Sequence, residues 1–375
     1  MNNTIMVIGG GVIGLSCAFE LRQRGFEVVV LEQHKCGGQA SGAAAGMLAP
    51  YSENVEGPDE FFQLCLYSLQ LYANWQEEVK RISGMSFEYT SSGSLYVVQH
   101  DADLLVLEGR LHWQRKYGST GRIIEGDELF QLEPLLSRQV RAALYTPEEC
   151  HLYAPDYVLA LEQACRNLGV RIYEHVGQVE LLEWNNEVTV RAADGRIFGG
   201  DQLLVCSGAW AQQTTEVLGM SVPIYPIRGQ ICAYDRKAHP VNHMVFSSQG
   251  YVVGKENGSL VCGASEDVAG FDTNVTEQGI ERLKRWNKHI FPALDGMKPF
   301  HSWAGLRPST QDGMPLIGRL SGEKSRILLA AGHYRNGILL SPATAKLISD
   351  IAEQKDVAAY NIAFSPERFS LAQSH

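Results

Sequence analysis

The stretch TIMVIGGGVIGLSCAFELRQRGFEVVVLEQ, starting at Thr4, narrows most what this chain can fold into. Ile5 to Ile8 is a continuous apolar run, Val12 to Arg24 has helical periodicity, and Val28 to Leu31 is a second apolar run. Apolar runs of this kind are buried on both faces, as parallel strands are, and a helix between two of them makes a β-α-β unit. Gly9, Gly11 and Gly14 stand at the turn in the order G-x-G-x-x-G. Gly9 permits the tight turn, Gly11 lets backbone approach a pyrophosphate, and Gly14 lets the helix pack closely on the strand. The helix N-terminus at Val12 and Ile13 then faces the phosphates. Glu32, followed by Gln33, ends the second strand, where a carboxylate accepts from the ribose hydroxyls of an adenosine and disfavours a 2′-phosphate. The pattern predicts a dinucleotide site in a doubly wound α/β sheet.

CGGQASGAAAGMLAP, from Cys36 to Pro50, bears on which dinucleotide it is. So many small residues let backbone lie against a bulky planar or phosphorylated ligand. A nicotinamide domain would proceed to its next helix and strand, so the run favours a flavin; the alternative is a flexible linker of small residues.

Further along, Phe61 to Arg81 reads as an amphipathic helix, and GMSFEYTSSGSLYVVQ as paired strands around a Ser-Gly turn. Asp156 to Leu168 is a helix ended by Gly169 and followed by a strand at Val170 to Glu174, an echo of the first unit that resumes the nucleotide sheet. A hairpin turns on Asp194-Gly195, and a buried strand, Leu203 to Cys206, runs into Ser207-Gly208. Short strands and a helix near Thr276 to His289 follow. Strand-rich material between pieces of a doubly wound sheet implies a discontinuous cofactor domain, residues 1–84, 148–213 and 301–369, and an antiparallel-sheet α+β substrate domain, residues 85–147 and 214–300.

Composition removes several classes. The 375 residues suit about two domains, and 32 basic against 42 acidic residues leave a formal charge of −10 with no basic cluster, so no nucleic-acid partner is expected. Eight scattered cysteines without C-x-x-C spacing read as reduced thiols. No secretory leader and no apolar stretch near the ~20 residues of a membrane span is present, which predicts a soluble, cytoplasmic protein without a membrane partner. G-x-S-x-G, G-x-x-x-x-G-K-[ST] and H-E-x-x-H are all missing, and no metal is expected.

Five motifs together carry a resemblance: the N-terminal fingerprint, ASGAAAGM from Ala40, PIRGQ from Pro226, WAGLRPSTQDGMPLIG from Trp303 and AAGHYRNGILLSPATA from Ala330. They resemble the FAD-dependent D-amino-acid oxidase superfamily, and within it the bacterial glycine oxidases of thiamine biosynthesis. The resemblance implies a Rossmann-like FAD-binding sheet and cofactor contacts at Gly9, Gly11, Val12, Ile13, Gly14, Glu32, Gln33, Ser41, Ala44, Ala45, Gly46, Met47, Val179, Ser207, Gly208, Trp210, Gly332, His333, Arg335, Asn336, Gly337 and Ile338. It implies that Arg307 holds the substrate carboxylate in a two-pronged ion pair, for which a planar guanidinium is suited. Tyr251 matches a tyrosine that hydrogen-bonds the same carboxylate, Arg335 a second site arginine, and Met47, with Ala49 near it, an apolar border of the pocket. Sarcosine oxidase-like relatives tether the flavin through a cysteine near the region matching Arg307 to Gly313; RPSTQDG has none, so noncovalent FAD is expected.

The implied reaction moves a hydride from the substrate α-carbon to flavin N5. The resulting imine hydrolyses to an oxo acid and ammonia, and O2 is reduced to hydrogen peroxide. Glycine, sarcosine and D-alanine are the expected substrates, thiazole synthase a partner, and a homotetramer the assembly. No strong base is needed, and His301 and His333 read as packing or hydrogen-bonding groups. A dehydrogenase or sarcosine oxidase of the same fold and, from another class, a non-catalytic flavin-binding adaptor protein are the alternatives. Strand Ile327 to Ala331 leads to a helix starting close to Gly337, whose amides point to the flavin N1 and C2=O edge. Pro342 marks either a second start capped by Ser341 or a tolerated kink.

Overall fold

Strand Thr4–Ile8, helix Val12–Gln23 and strand Glu27–Leu31 form the first β-α-β unit of the computed structural model. It describes residues 3–54, 56–216, 222–236, 240–320, 322, 325–355, 357 and 363–371. The unit belongs to a six-stranded sheet in the order Leu316–Arg319, Ile327–Ala331, Gln202–Val205, Thr4–Ile8, Glu27–Leu31, Arg171–Tyr173. All neighbours are parallel except Leu316–Arg319 with Ile327–Ala331. Successive side chains leave opposite faces. Ile5, Val7, Val28, Val30, Leu204 and Leu328 pack against the helices Val12–Gln23, Glu60–Ser83, Ala154–Asn167 and Gly337–Ala352. Met6, Ile8, Val29, Leu31, Leu203 and Val205 turn the other way, onto Val188 and Val190. Those two belong to the antiparallel sheet Glu180–Glu183, Val188–Arg191, Ile197–Gly200, which contains the hairpin expected at Asp194-Gly195.

The second large sheet has eight strands in the order His301–Thr310, Ile224–Asp235, Ser259–Gly263, Gly250–Gly254, Met244–Ser247, Ser94–Val98, Ala142–Thr146, Arg122–Glu125. Only Met244–Ser247 and Ser94–Val98 pair in parallel. Helix Glu277–Ile290 covers it with Leu283, Trp286 and Ile290, and the Thr276 hydroxyl caps that helix by accepting from the Gly279 amide. No helix among the described residues is long and apolar enough to cross a membrane, and all eight cysteines are unpaired and buried.

Two local readings change, and the choice left open at Pro342 falls to a proline tolerated within the helix. The strands in FEYTSSGSLYVV do not pair with each other: Tyr89–Thr90 joins Cys150–Leu152, whereas Ser94–Val98 joins Ala142–Thr146. Two cores pull the segment apart, since Leu95 and Val97 enter the core of the large sheet while Tyr89 stacks on Tyr72 near the nucleotide sheet. Strand His301–Thr310, read as cofactor-domain sequence, is the edge of the eight-stranded sheet, paired with Ile224–Asp235 from Ala233↔His301 to Ile224↔Thr310. Its ladder partner comes from the inserted portion, which the apolar pattern of either strand alone does not reveal. At Pro342 the helix Gly337–Ala352 simply continues. Proline cannot donate to the carbonyl four residues back; here that carbonyl, Ile338, accepts from the Tyr72 and Ser341 hydroxyls instead.

Candidate functional site

Both sheets contribute walls to one elongated cavity, and most of the residues picked from sequence line it. At one end the turn after Thr4–Ile8 presents Gly9, Gly11, Val12 and Ile13. Gly9 has a φ of 108°, and a Cβ there would lie 2.5 Å from the Cys206 carbonyl oxygen. A Cβ at Gly11 would meet Ser41 Oγ at 3.3 Å, and Ser41 Oγ itself accepts from the Val12 amide at 3.0 Å. Glu32 and Gln33 continue this end; the Glu32 carboxylate accepts from the Gly10 amide at 2.7 Å and the His34 amide at 2.9 Å. Val179, Ser207, Gly208 and Trp210 close one side, and Ala44, Ala45, Gly46 and Met47 the other. The small-residue run is held in place by the Trp303 indole, which donates to the Ala43 carbonyl at 3.0 Å, and by Gly305, whose missing Cβ would be 2.7 Å from Ala43 Cβ.

The far end is polar. Tyr251, Arg307 and Arg335 line it, and His333, Gly337 and Ile338 line the cavity beside Val12, whose Cγ1 would be 3.9 Å from a Cβ at Gly337. Arg307 donates from Nη1 to the Ser265 carbonyl at 2.9 Å and lies flat over Gly229, where a Cβ would be 2.4 Å from Cζ and from both terminal nitrogens. Burial lowers the Arg307 pKa, yet a guanidinium keeps its charge. Tyr251 is similarly close to Gly263; burial pushes its hydroxyl up to about 12, with Arg307 and Arg335 opposing the shift. Arg335 approaches Glu266 at 3.3 Å, and the Tyr334 hydroxyl donates to the same carboxylate at 2.8 Å. His333 is buried with Nε2 3.0 Å from Thr344 Oγ1, and burial lowers its pKa to about 3, so it is neutral at physiological pH.

Four sequence-picked residues do not line the cavity. Gly14 is a packing position, since a Cβ there would lie 2.0 Å from the Gly9 carbonyl oxygen. Ala49 is buried at the start of the short helix Pro50–Glu53. Gly332, with a φ of 78°, makes the turn out of its strand against Thr310, and Asn336 immediately precedes the helix Gly337–Ala352 without a capping side-chain hydrogen bond. His301 is exposed and stacks on Trp303 outside the cavity. Among the lining residues missed are Glu53, Gly229, Gln213, Thr214 and Tyr334. Gly229 was inside a quoted motif, but only the crossing of Arg307 gives it a task.

The arrangement fits FAD. A helix N-terminus, glycines lining the turn before it, an acid closing the second strand and two arginines on the same cavity suit a pyrophosphate, a ribose and a planar ring.

A family model described as DAO, FAD dependent oxidoreductase, matches residues 4–351. The chain is 32% identical to the bifunctional protein ThiO/ThiG of Synechocystis sp., covering 97% of this chain and 54% of that protein. It therefore spans about half the length of that relative. It is also 32% identical to the glycine oxidase of Geobacillus kaustophilus, over 94% of each chain. The crystal structure of glycine oxidase from Geobacillus kaustophilus superposes with a TM-score of 0.90 at 30% identity, covering 98% of this chain and 99% of that one.

Proposed function

Because this chain belongs to the DAO family of FAD dependent oxidoreductases, we propose that it oxidises the carbon–nitrogen bond of glycine and other small amines, such as sarcosine and D-alanine. The observation that carries this reading is Arg307, a desolvated guanidinium laid over a glycine at the end of a cofactor-sized channel. Its outward edge would clasp the substrate carboxylate, with the Tyr251 hydroxyl as a second donor. Holding the carboxylate there fixes the α-carbon against the ring plane, and catalysis by this chain is then mainly orientation. Bound noncovalently, FAD would supply the hydride acceptor, with O2 as the final electron acceptor and hydrogen peroxide as its product. The helix N-terminus at Ile13 would face its pyrophosphate and Glu32 its ribose, while the N-terminus of Gly337–Ala352 would place positive potential at the ring edge. His333, neutral and hydrogen-bonded to Thr344, adds no positive charge to that of the two arginines.

In this reading residues 1–84, 148–213 and 301–369 carry the cofactor and 85–147 and 214–300 shape the substrate end, with strand His301–Thr310 joining the two. The imine hydrolyses to an oxo acid and ammonia or is consumed by a thiazole synthase in thiamine biosynthesis; a relative named ThiO/ThiG supports a product handed to a second enzyme. A steady-state comparison of glycine, sarcosine and D-alanine with peroxide and ammonia both measured tests the proposal. Equal yields of peroxide and ammonia are expected; ammonia without peroxide points to a dehydrogenase, and neither product contradicts amine oxidation.

A further inference from the structure

One short segment holds both arginines of the substrate end. The Ser265 carbonyl accepts from Arg307 Nη1 at 2.9 Å; the next residue, Glu266, takes Arg335 Nη1 at 3.3 Å and the Tyr334 hydroxyl at 2.8 Å on a single carboxylate oxygen. Among the described residues no other acid is hydrogen-bonded to or ion-paired with either guanidinium. Glu266 is exposed, whereas Arg335 lines the cavity, so the pair links its rim to its interior. The Glu266 charge also acts on Arg307. Arg335 is therefore matched by an acid before any ligand arrives, while Arg307, held through a neutral carbonyl, keeps its charge for a carboxylate. A ligand with a second carboxylate finds no guanidinium left over and meets the like charge of Glu266.

Both sides of this contact are fixed in place. Next to Glu266, Asp267 exchanges two backbone hydrogen bonds with Arg228, each 2.9 Å, and its carboxylate accepts from the Ser265 hydroxyl at 2.7 Å and from Gln230 Nε2 and Arg282 Nη2 at 2.8 Å. Opposite, Tyr334 has a φ of 46°, a left-handed conformation uncommon for a tyrosine, and its amide donates to the carbonyl of Pro308, the neighbour of Arg307, at 2.9 Å. Such a conformation persists only where its surroundings over-determine it. What it achieves here is a hydroxyl aimed at Glu266.

We propose that Glu266 is a specificity-determining residue, which restricts the cavity to amines with a single carboxylate by neutralising Arg335 and repelling a second carboxylate. The inference rests on the amine-oxidising reading above. Its test is Glu266→Gln, which keeps an acceptor for Tyr334 and removes the charge, beside Glu266→Ala, both in the FAD-loaded enzyme. Two ratios are read: kcat/KM for iminodiacetate, which is glycine with a second carboxymethyl group on its nitrogen, over that for glycine; and the dissociation constant of diglycolate over that of glycolate, two ligands without nitrogen, from perturbation of the flavin spectrum. Both ratios are expected to move at least about tenfold in favour of the dicarboxylate in each variant, because discrimination built on repulsion is lost with the repelling charge. A merely structural role would change both members of each pair alike, so unchanged ratios overturn the role of Glu266. A wild-type enzyme that takes iminodiacetate as readily as glycine overturns it too. A wild-type protein reduced by no amine overturns the functional reading instead, and the diglycolate and glycolate constants then still decide the role of Glu266.

Discussion

Arg307 can lie where it does only because residue 229 has no side chain. A methyl group there would meet Cζ and both terminal nitrogens at 2.4 Å, and these form the fork that clasps a carboxylate. Gly229→Ala is therefore expected to lower kcat/KM for glycine by at least about tenfold without loss of FAD, and Arg307→Ala by about 100-fold, roughly 2.7 kcal/mol of lost stabilisation. Steady-state kinetics on both variants check this, and a near-normal ratio in either removes that residue from substrate binding. His333 makes a prediction of a different kind. Its folded pKa of about 3 lies below the ordinary 6.5, so the unfolded chain binds more protons between those values and stability falls as pH drops below 6.5. Urea unfolding at pH 7 and 5 should show a steeper loss for the wild type than for His333→Gln; parallel losses contradict a histidine held neutral. Arg307 was legible only through the motif that contains it, since an arginine near a Gly-Pro turn serves a surface salt bridge equally well, and Glu53 was not legible at all. PYSENVEG carries no spacing signal, and its carboxylate acquires meaning only through arginines more than two hundred residues away.

Among the elements, the first β-α-β unit and the helix Ala154–Asn167 were readable because both their periodicity and their glycine stops are local. Helix Gly337–Ala352 was not readable through Pro342, because what repairs it comes from another helix. Tyr72 and Ser68, both on Glu60–Ser83, donate to the Ile338 and Leu339 carbonyls, and Ser68 Oγ also accepts from the Ala343 amide at 3.2 Å. Two hydroxyls thus satisfy backbone groups that the proline leaves over, and the N-terminus facing the cavity is held by the same contacts. Tyr72→Phe and Ser68→Ala should each cost about 0.5–1.5 kcal/mol, the net worth of a buried hydrogen bond, because the Ile338 carbonyl keeps the Ser341 hydroxyl. Denaturant unfolding of the two variants measures this, and a cost near zero would mean that the helix does not depend on its neighbour.

At the scale of the whole molecule, the chain closes its site by crossing between sheets. The long ladder of Ile224–Asp235 with His301–Thr310 carries Arg307 and Gly229 on facing strands, while the small-residue run packs on the same strand through Ala43 and Trp303. Short strands were legible around PIRGQ, but His301–Thr310 was met only as a motif and its pairing not at all, because an apolar strand specifies a face and not a neighbour. The family membership and the cavity together make flavin chemistry on a small carboxylate-bearing amine the central claim. Anaerobic mixing of the purified holoprotein with glycine tests it most directly. Bleaching of the flavin absorbance, followed on admission of air by recovery of the colour and release of peroxide, is the predicted result; a flavin that stays oxidised with glycine, sarcosine and D-alanine, or a protein purified without FAD, would contradict it.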